Sequence, residues 1–260
     1  HPCLSPTPSA PMKLSATIIT LNEERNIERC LRSLQGVADE IVVVDSGSTD
    51  TTLALCARYG ARVIAQPWLG YSAQKNLANA QAEHDWILSL DADEALDEPL
   101  RQAVLAWKAR PTPTPARINR MTNYCGHFVR HGGWYPDHKV RLFDRRQARW
   151  EGLIHEDLIG VDRRSAELLP GHCLHYSYYT LDEHRAQTQR FTTLSAQELH
   201  ARGKKASLTK RFLSPAARFL SDYLFRLGFL DGPAGWHIAR ISAHATYLKY
   251  DKLHKLTQQR

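Results

Sequence analysis

The sequence predicts an α/β fold: a mixed, mainly parallel sheet flanked by helices, with a helical extension at the C-terminal end. Three observations carry this prediction. Four β-branched apolar runs alternate with helical patterns between residues 14 and 91, each run ends in polar or acidic residues, and the chain after residue 181 shows helical periodicity. With 260 residues, 43% hydrophobic and 23% charged, the composition is ordinary for a globular protein. A chain of this length buries roughly 70–75% of its unfolded surface, so wholesale disorder is excluded.

LSATIITL (residues 14–21) has the length and branching of a buried strand. Asn22 then stands as the N-cap of a helix running to residue 34, with Ile27, Cys30, Leu31 and Leu34 on one face. EIVVVD (40–45) is a second buried strand. The SGSTD that follows offers Ser48 or Thr49 as the cap of a helix over about 50–59, which Gly60 stops. A third strand covers 62–65 and a helix 72–82, and WILSLD (86–91) is a fourth strand running straight into DADE. Ligands of such sheets bind beyond the carboxyl ends of the strands. Those ends carry Asn22, Asp45, Ser46 and residues 91–94.

A helix over 98–108 and a rigid PTPTP connector lead to strand-like ARINRMTNY and KVRLFD, which flank GHFVRHGGWYPDH, a loop dense in glycine, histidine and aromatics. Residues 181–201 read as helix. Residues 211–230 read as an amphipathic helix, with Phe212, Ala216, Phe219, Leu220, Tyr223, Leu224 and Leu227 opposite Arg211, Arg218, Asp222 and Arg226. DGPAG breaks it before a last helix over 236–256. The chain thus divides into a disordered or adventitious segment at 1–11, an α/β domain over 12–180 and a basic helical region over 181–260.

The first eleven residues, HPCLSPTPSAP, have neither a basic n-region nor an apolar h-region, so no signal peptide is read there, and the folded domain is expected to open near Met12. No apolar run approaches the roughly 20 residues that span a bilayer. The five cysteines are odd in number, widely spaced and without a CxxC pair, which fits small buried hydrophobes in a reducing compartment. The net charge of +7 is uneven: residues 201–260 hold 12 Lys/Arg against 3 Asp, leaving 22 against 24 in the first 200. A basic tail on a near-neutral body points to an anionic partner or to a solvated helical surface.

Asp91-Ala92-Asp93 follows a buried strand, so both carboxylates leave the same sheet edge, where Asp45 also ends a strand. A hard divalent cation held by one or two carboxylates and substrate phosphates is the usual arrangement for nucleotide chemistry. Three converging acids need such a cation or hydrogen-bond donors to compensate them. No GxxxxGK[ST] or GxGxxG occurs, so an ATPase or dehydrogenase lacks its anchor. His127, His131, His138 and His155 lack metal-ligand spacing and read as polar loop residues.

ATIITLNEERNIERCLRSL, VVVDSGSTDTT, AQKNLA and LSLDADE, in that order, resemble the family 2 glycosyltransferases of the GT-A nucleotide-sugar-binding fold. GGWYPDHKVRLFDR, WEGLIHEDL and the tail FLDGPAGWHIARISAHATYLKYDKL resemble the subgroup of lipopolysaccharide core β-glucosyltransferases. The resemblance implies that 12–180 is the catalytic domain and that Thr20, Asn22, Glu23 and Asp45 hold uracil and ribose, with Ser46, Gly47 and Ser48 lining that pocket. Lys75 and Asn76 would lie near the nucleotide or sugar, and Asp91 and Asp93 would form the DxD, with Asp93 as the direct ligand of Mg²⁺ or Mn²⁺. Glu156 or Asp157 of HED would be the general base, with Glu156 preferred. Arg141 would contact the diphosphate, fix the HED segment or serve a structural salt bridge. Trp134 and Tyr135 would stack on an acceptor sugar or anchor packing.

The implied reaction is an inverting transfer of a hexose, glucose by subgroup resemblance, from a UDP-sugar to a lipid-linked acceptor, the heptose of the lipopolysaccharide inner core. The implied enzyme is cytoplasmic and peripheral on the inner face of the bacterial inner membrane, meeting anionic lipid through its C-terminal helices. Two other classes stay open: a metal-dependent sugar nucleotidyltransferase and a non-catalytic module for anionic ligands. The first lacks its usual Gly-rich opening loop, and nucleic acid is not expected as a partner because no recognition motif accompanies the basic tail.

Overall fold

The computed structural model describes residues 12–152 and 156–258, and the expectation for residues 1–11 lies outside them. Two compact units emerge. The first comprises residues 12–120 and 138–175, and the second 121–137 and 176–258. The helical unit therefore begins before residue 180 and also includes the glycine- and aromatic-rich loop.

The first unit opens with β1 (Leu14–Thr20), α1 (Ile27–Leu34), β2 (Glu40–Asp45), α2 (Thr52–Arg58), β3 (Arg62–Ala65), α3 (Tyr71–Gln81) and β4 (Trp86–Asp91). It continues through β5 (Glu94–Leu96), α4 (Glu98–Lys108) and β6 (Ala116–Tyr124), which runs on past Arg120 into the second unit. After β7 (His127–Phe128) of the second unit come β8 (Asp137–Asp144), β9 (Arg149–Glu151), β10 (Asp157–Ile159) and β11 (Glu167–Tyr178), the last again running on into the second unit. The strand order is β3-β2-β1-β4-β8-β6-β11-β5. It is parallel from β3 to β4, with Ile18 opposite both Val43 and Leu90, and antiparallel where β8 joins β4 and β5 joins β11. A separate ribbon pairs β9 with β10.

Side chains alternate across a strand, so β2, β4 and β8 feed two cores. Leu14, Ile18, Val43, Leu88 and Leu90 pack with Ile27, Leu31 and Leu34 of α1 and with Leu100, Val104 and Trp107 of α4. Val42, Ile87, Val140 and Phe143 form the other core with Trp150 and Leu158. The four cysteines in the described residues are free thiols, three of them buried.

Two helix starts differ from the sequence reading. α1 begins at Ile27, not after Asn22: Asn22 takes a left-handed φ of 53°, and its side-chain oxygen accepts the Thr49 N–H at 2.8 Å instead of capping. α2 begins at Thr52, because the Ser48 hydroxyl is committed to Asp45 and Asp50 accepts the Thr52 N–H at 3.0 Å. The α4 prediction holds to the residue: Asp97 caps it by accepting the Leu100 N–H at 2.9 Å, and Pro99 sits in its first turn. β11 was not read from sequence, since Pro170-Gly171 interrupts its pattern. Gly171 lies at φ 94°, and a Cβ there would stand 2.3 Å from the Leu100 nitrogen.

In the second unit, α5 (Leu181–Ala201) starts on a complete capping box of Thr180 and Glu183. α6 (Leu208–Leu220) is shorter than the predicted helix: it passes into a π-helical turn over Ser221–Phe225, and Leu227 is left-handed. α7 (Gly232–Gln258) starts inside the predicted break, because Pro233 falls in the first turn, where a missing N–H costs nothing. α7 packs against both α5 and α6. Lys252 ties α7 to α5 through the Gln189 carbonyl at 2.9 Å and the Thr193 hydroxyl at 2.8 Å. Tyr124, Val129 and Ile238 form the core with Trp134, Tyr178 and Leu181 around them. Among the described residues no helix is long and apolar enough to cross a membrane.

His184 is buried in this core, its Nδ1 2.8 Å from the Tyr124 hydroxyl, and burial pushes its pKa down to about 4. Two outcomes follow. Below pH 6.5 the unfolded chain takes up a proton that folded His184 refuses, so stability falls from pH 7 towards pH 4 by up to about 3 kcal/mol, and His184→Gln flattens that slope in urea melts. Gly171→Ala costs about 3 kcal/mol or more in the same melts, from both its φ and the approach of Leu100.

Candidate active site

The chemistry gathers where β4 leaves the sheet. Lys75 of α3 and Arg141 of β8 are both buried, each 4% exposed. The Lys75 Nζ lies 2.9 Å from Asp91 Oδ1, and an Arg141 terminal nitrogen lies 2.9 Å from Oδ2. The same Arg141 nitrogen donates to Glu94 Oε1 at 2.7 Å, and Glu94 Oε2 accepts the Asp91 N–H at 3.0 Å. Glu94 is fully buried, with Arg120 at 3.5 Å as a second cation. Burial alone would raise the Asp91 carboxyl; Lys75 and Arg141 outweigh it and hold Asp91 well below the usual carboxylate range.

Glu156 joins this cluster, its Oε1 3.3 Å from the Lys75 Nζ, which also sits 4.9 Å over the Trp150 ring. Asp157 does not join it: its carboxylate is solvent-exposed and pairs with Arg163 at 2.6 Å. His155 of the same motif lies outside the described residues. Asn76 binds the backbone of Trp150, whose ring lies beneath Lys75. Its amide oxygen accepts the Trp150 N–H at 2.9 Å and its amide nitrogen donates to the Trp150 carbonyl at 2.8 Å, the pattern of a neighbouring strand.

Asp93 projects beside Asp91, and its Oδ2 lies 3.2 Å from His175 Nε2. Burial would lower His175, but Asp93 prevails and raises it. Among the described residues no group of three or more His, Cys, Asp and Glu side chains stands arranged as a metal cage. The Asp93 carboxylate fits a hard cation that draws its remaining ligands from substrate phosphates, and the His175 imidazole pairs with that carboxylate. Asp91, with both oxygens facing cations, fits such a role less well.

The loops after β1 and β2 make the adjoining wall. Asp45 is buried and accepts the Gly47 and Ser48 N–H groups at 2.9 Å each and the Ser48 hydroxyl at 2.5 Å. Ser46 donates its N–H to the Thr20 carbonyl at 3.0 Å and accepts from Gln74 at 3.0 Å. The Asn22 N–H donates to Ser48 Oγ at 2.8 Å, and the Glu23 N–H to Thr52 Oγ1 at 2.8 Å. Burial raises the Glu23 carboxyl despite its bond from Asn26. Thr20 Oγ1 is buried without a hydrogen-bond partner, an unclaimed hydroxyl at the end of β1.

Trp134 and Tyr135 belong to the second unit. The Trp134 ring meets Tyr124 and His184 edge-on at centroid distances of 5.7 and 5.3 Å, so it is a packing anchor there, and Tyr135 is half-buried. Sequence reasoning missed Glu94, Gln74, Trp150 and His175 as parts of the arrangement. Glu94 had a signal in its place directly after the DxD. His175 was missed together with its strand.

Residues 15–166 match the family described as Glycosyl transferase family 2, and the chain belongs to that family. It is 31% identical to the lipopolysaccharide core biosynthesis glycosyltransferase LpsC of Rhizobium meliloti (strain 1021), over 92% of this chain and 93% of the relative. It is 30% identical to the uncharacterized glycosyltransferase RT0209 of Rickettsia typhi, over 94% of this chain and 88% of the relative. Among solved structures, glucosyl-3-phosphoglycerate synthase from Mycobacterium tuberculosis, in complex with Mn²⁺, uridine diphosphate and glucosyl-3-phosphoglycerate, aligns at 27% identity with a TM-score of 0.34. That alignment covers 43% of this chain and 44% of the synthase chain. The sequence expectation of a family 2 glycosyltransferase with the GT-A fold is borne out.

Removing Lys75 leaves Glu156 without its cation and Asp91 with Arg141 alone. Lys75→Met is therefore expected to destabilise the protein by about 3 kcal/mol in denaturant melts, while Asp157→Asn, on an exposed pair, stays within about 0.5 kcal/mol of wild type.

Proposed function

We propose that the protein transfers a hexose, glucose by its subgroup resemblance, from a UDP-sugar to a lipid-linked saccharide, the heptose of the lipopolysaccharide inner core, with inversion at the anomeric carbon. The observation that carries this reading is Lys75 bridging Asp91, at the end of β4, and Glu156: it joins a DxD carboxylate and a second acid without a direct bond between them. The Thr20 hydroxyl, with Asn22, Glu23 and the Asp45–Ser48 loop, would receive uracil and ribose.

In the reaction, Glu156 takes the proton of the acceptor hydroxyl as that oxygen attacks the anomeric carbon. The new carbon–oxygen bond forms while the bond to the β-phosphate oxygen breaks, and its electron pair leaves with UDP. General-base help of this kind contributes roughly 10²–10⁴-fold. Lys75 holds the Glu156 carboxylate in place. Mg²⁺ or Mn²⁺, held by the Asp93 carboxylate, would supply Lewis-acid neutralisation of the departing diphosphate. One base suffices because the diphosphate is already a good leaving group, whereas a glycosidase needs two carboxylates flanking the bond. The acceptor lipid places the enzyme on the cytoplasmic face of the inner membrane, with the helical unit against its anionic surface.

Calorimetric titration of UDP tests the donor site: binding is expected to depend on Mn²⁺ and to be lost in Asp93→Ala, and absence of UDP binding with or without metal overturns the reading. Glu156→Gln is expected to keep UDP affinity within about twofold while kcat for transfer falls by roughly 10²–10⁴. Unchanged kcat in that variant removes Glu156 as the base.

A further inference from the structure

The helical unit carries a feature that the transfer reaction does not use. α6 has no buried residue: Phe212, Leu213 and Leu220 are exposed, and beyond its end so are Leu224, Phe225 and Leu230, with Phe225 81% exposed. Soluble surfaces rarely leave so many large apolar side chains together without a partner. Between α6 and α7 runs an open apolar groove of about 540 Å³, floored by Phe212, Pro215, Phe219, Ala243 and Tyr247. A second pocket of about 370 Å³ adjoins it, lined by Arg185, Thr188, Gln189, Arg240 and His244; Arg240 and His244 line both.

No carboxylate lines either cavity. Arg240 is exposed and has no carboxylate partner among the described residues, while Arg185 pairs only with the exposed Asp182 at 2.9 Å. An apolar trough that opens into a cationic, hydroxyl- and amide-bearing pocket is complementary to a molecule with a hydrocarbon chain at one end and a phosphate at the other. The excess of 12 basic over 3 acidic residues in 201–260 selects the same sign of headgroup over the whole surface.

We propose that this face docks on an anionic phospholipid bilayer, that the α6–α7 groove seats one acyl chain, and that Arg240 and Arg185 take the phosphate of that lipid. Phe225, Leu224 and Leu230 enter the acyl boundary beside it, as on an interfacial amphipathic helix. This deepens the membrane part of the proposed function and makes no use of sugar transfer, so its failure leaves the donor site untouched and is read separately from UDP binding.

The test is flotation of the full chain with vesicles of phosphatidylcholine alone or with 30 mol% phosphatidylglycerol, at about 0.05 and 0.5 M salt. Binding is expected only to the anionic vesicles and to weaken at high salt. Phe225→Ser, at an exposed position that leaves the fold intact, is expected to lower partitioning about tenfold, and Arg240→Gln and Arg185→Gln about fivefold each. UDP affinity is expected to stay at the wild-type value in all three variants. Inorganic phosphate at 10 mM is expected not to displace the protein, because it lacks the chain that fills the groove. Equal binding to neutral vesicles removes the phosphate assignment, and release by phosphate alone removes the acyl-chain assignment. Absence of vesicle binding, or a dimer in light scattering that Phe225→Ser dissociates, overturns the proposal in favour of a bare surface or a second copy of the chain.

Discussion

Asp91 is a carboxylate at the rim of a sheet with two more acids, Asp93 and Glu94, within three residues of it. It stays ionised there because cations reach it from two directions, Lys75 from a helix and Arg141 from an antiparallel strand. The dependence is mutual. Each cation is itself taken out of water, and removal of its carboxylate would leave an uncompensated buried charge. The arrangement therefore fixes α3, β4 and β8 relative to one another with a precision that apolar packing alone does not demand. Glu94 completes it from below by accepting both the Arg141 side chain and the Asp91 N–H.

The neighbouring loops are ordered by another means. After β1 and β2 the backbone has no ladder to follow, and side chains take over: Asp45 gathers the N–H groups of its own turn, and Asn22 and Ser48 bridge one loop to the other. Such a surface is organised before any ligand arrives, so little ordering entropy remains to be lost on binding. Thr20 stands apart from these bonded loop residues, since its hydroxyl is buried and unmatched.

Much of this was legible in the sequence, for identifiable reasons. β1, β2 and β4 are apolar β-branched runs closed by polar residues, and α4 carries both a capping aspartate and a first-turn proline, so pattern and local chemistry agree. The acids at the strand ends could be placed on one edge by topology alone. What sequence could not give were features decided by tertiary contact. Asn22 has the composition of a helix cap but is spent on a neighbouring loop. Pro170-Gly171 reads as a break, yet the glycine is there to let β11 pass close to the start of α4, and His175 was lost from view with that strand. Asn76 sits beside Lys75 in one motif, and only the fold reveals that Asn76 holds the Trp150 backbone while Lys75 reaches Asp91, Glu156 and the Trp150 ring.

Asn76 has a mechanical consequence. Its amide grips both polar groups of the Trp150 peptide, across 74 residues of sequence, and Ser72 of the same helix donates to the Gly152 carbonyl at 2.7 Å. The helix and the strand are thereby geared together, and Lys75 rides on that helix. Any displacement of the helix on substrate entry would carry the strand with it, so the bearing of Lys75 on Trp150 is preserved as a unit. The buried cation that joins Asp91 to Glu156 and the aromatic ring beneath it thus move as one part rather than having to find each other anew.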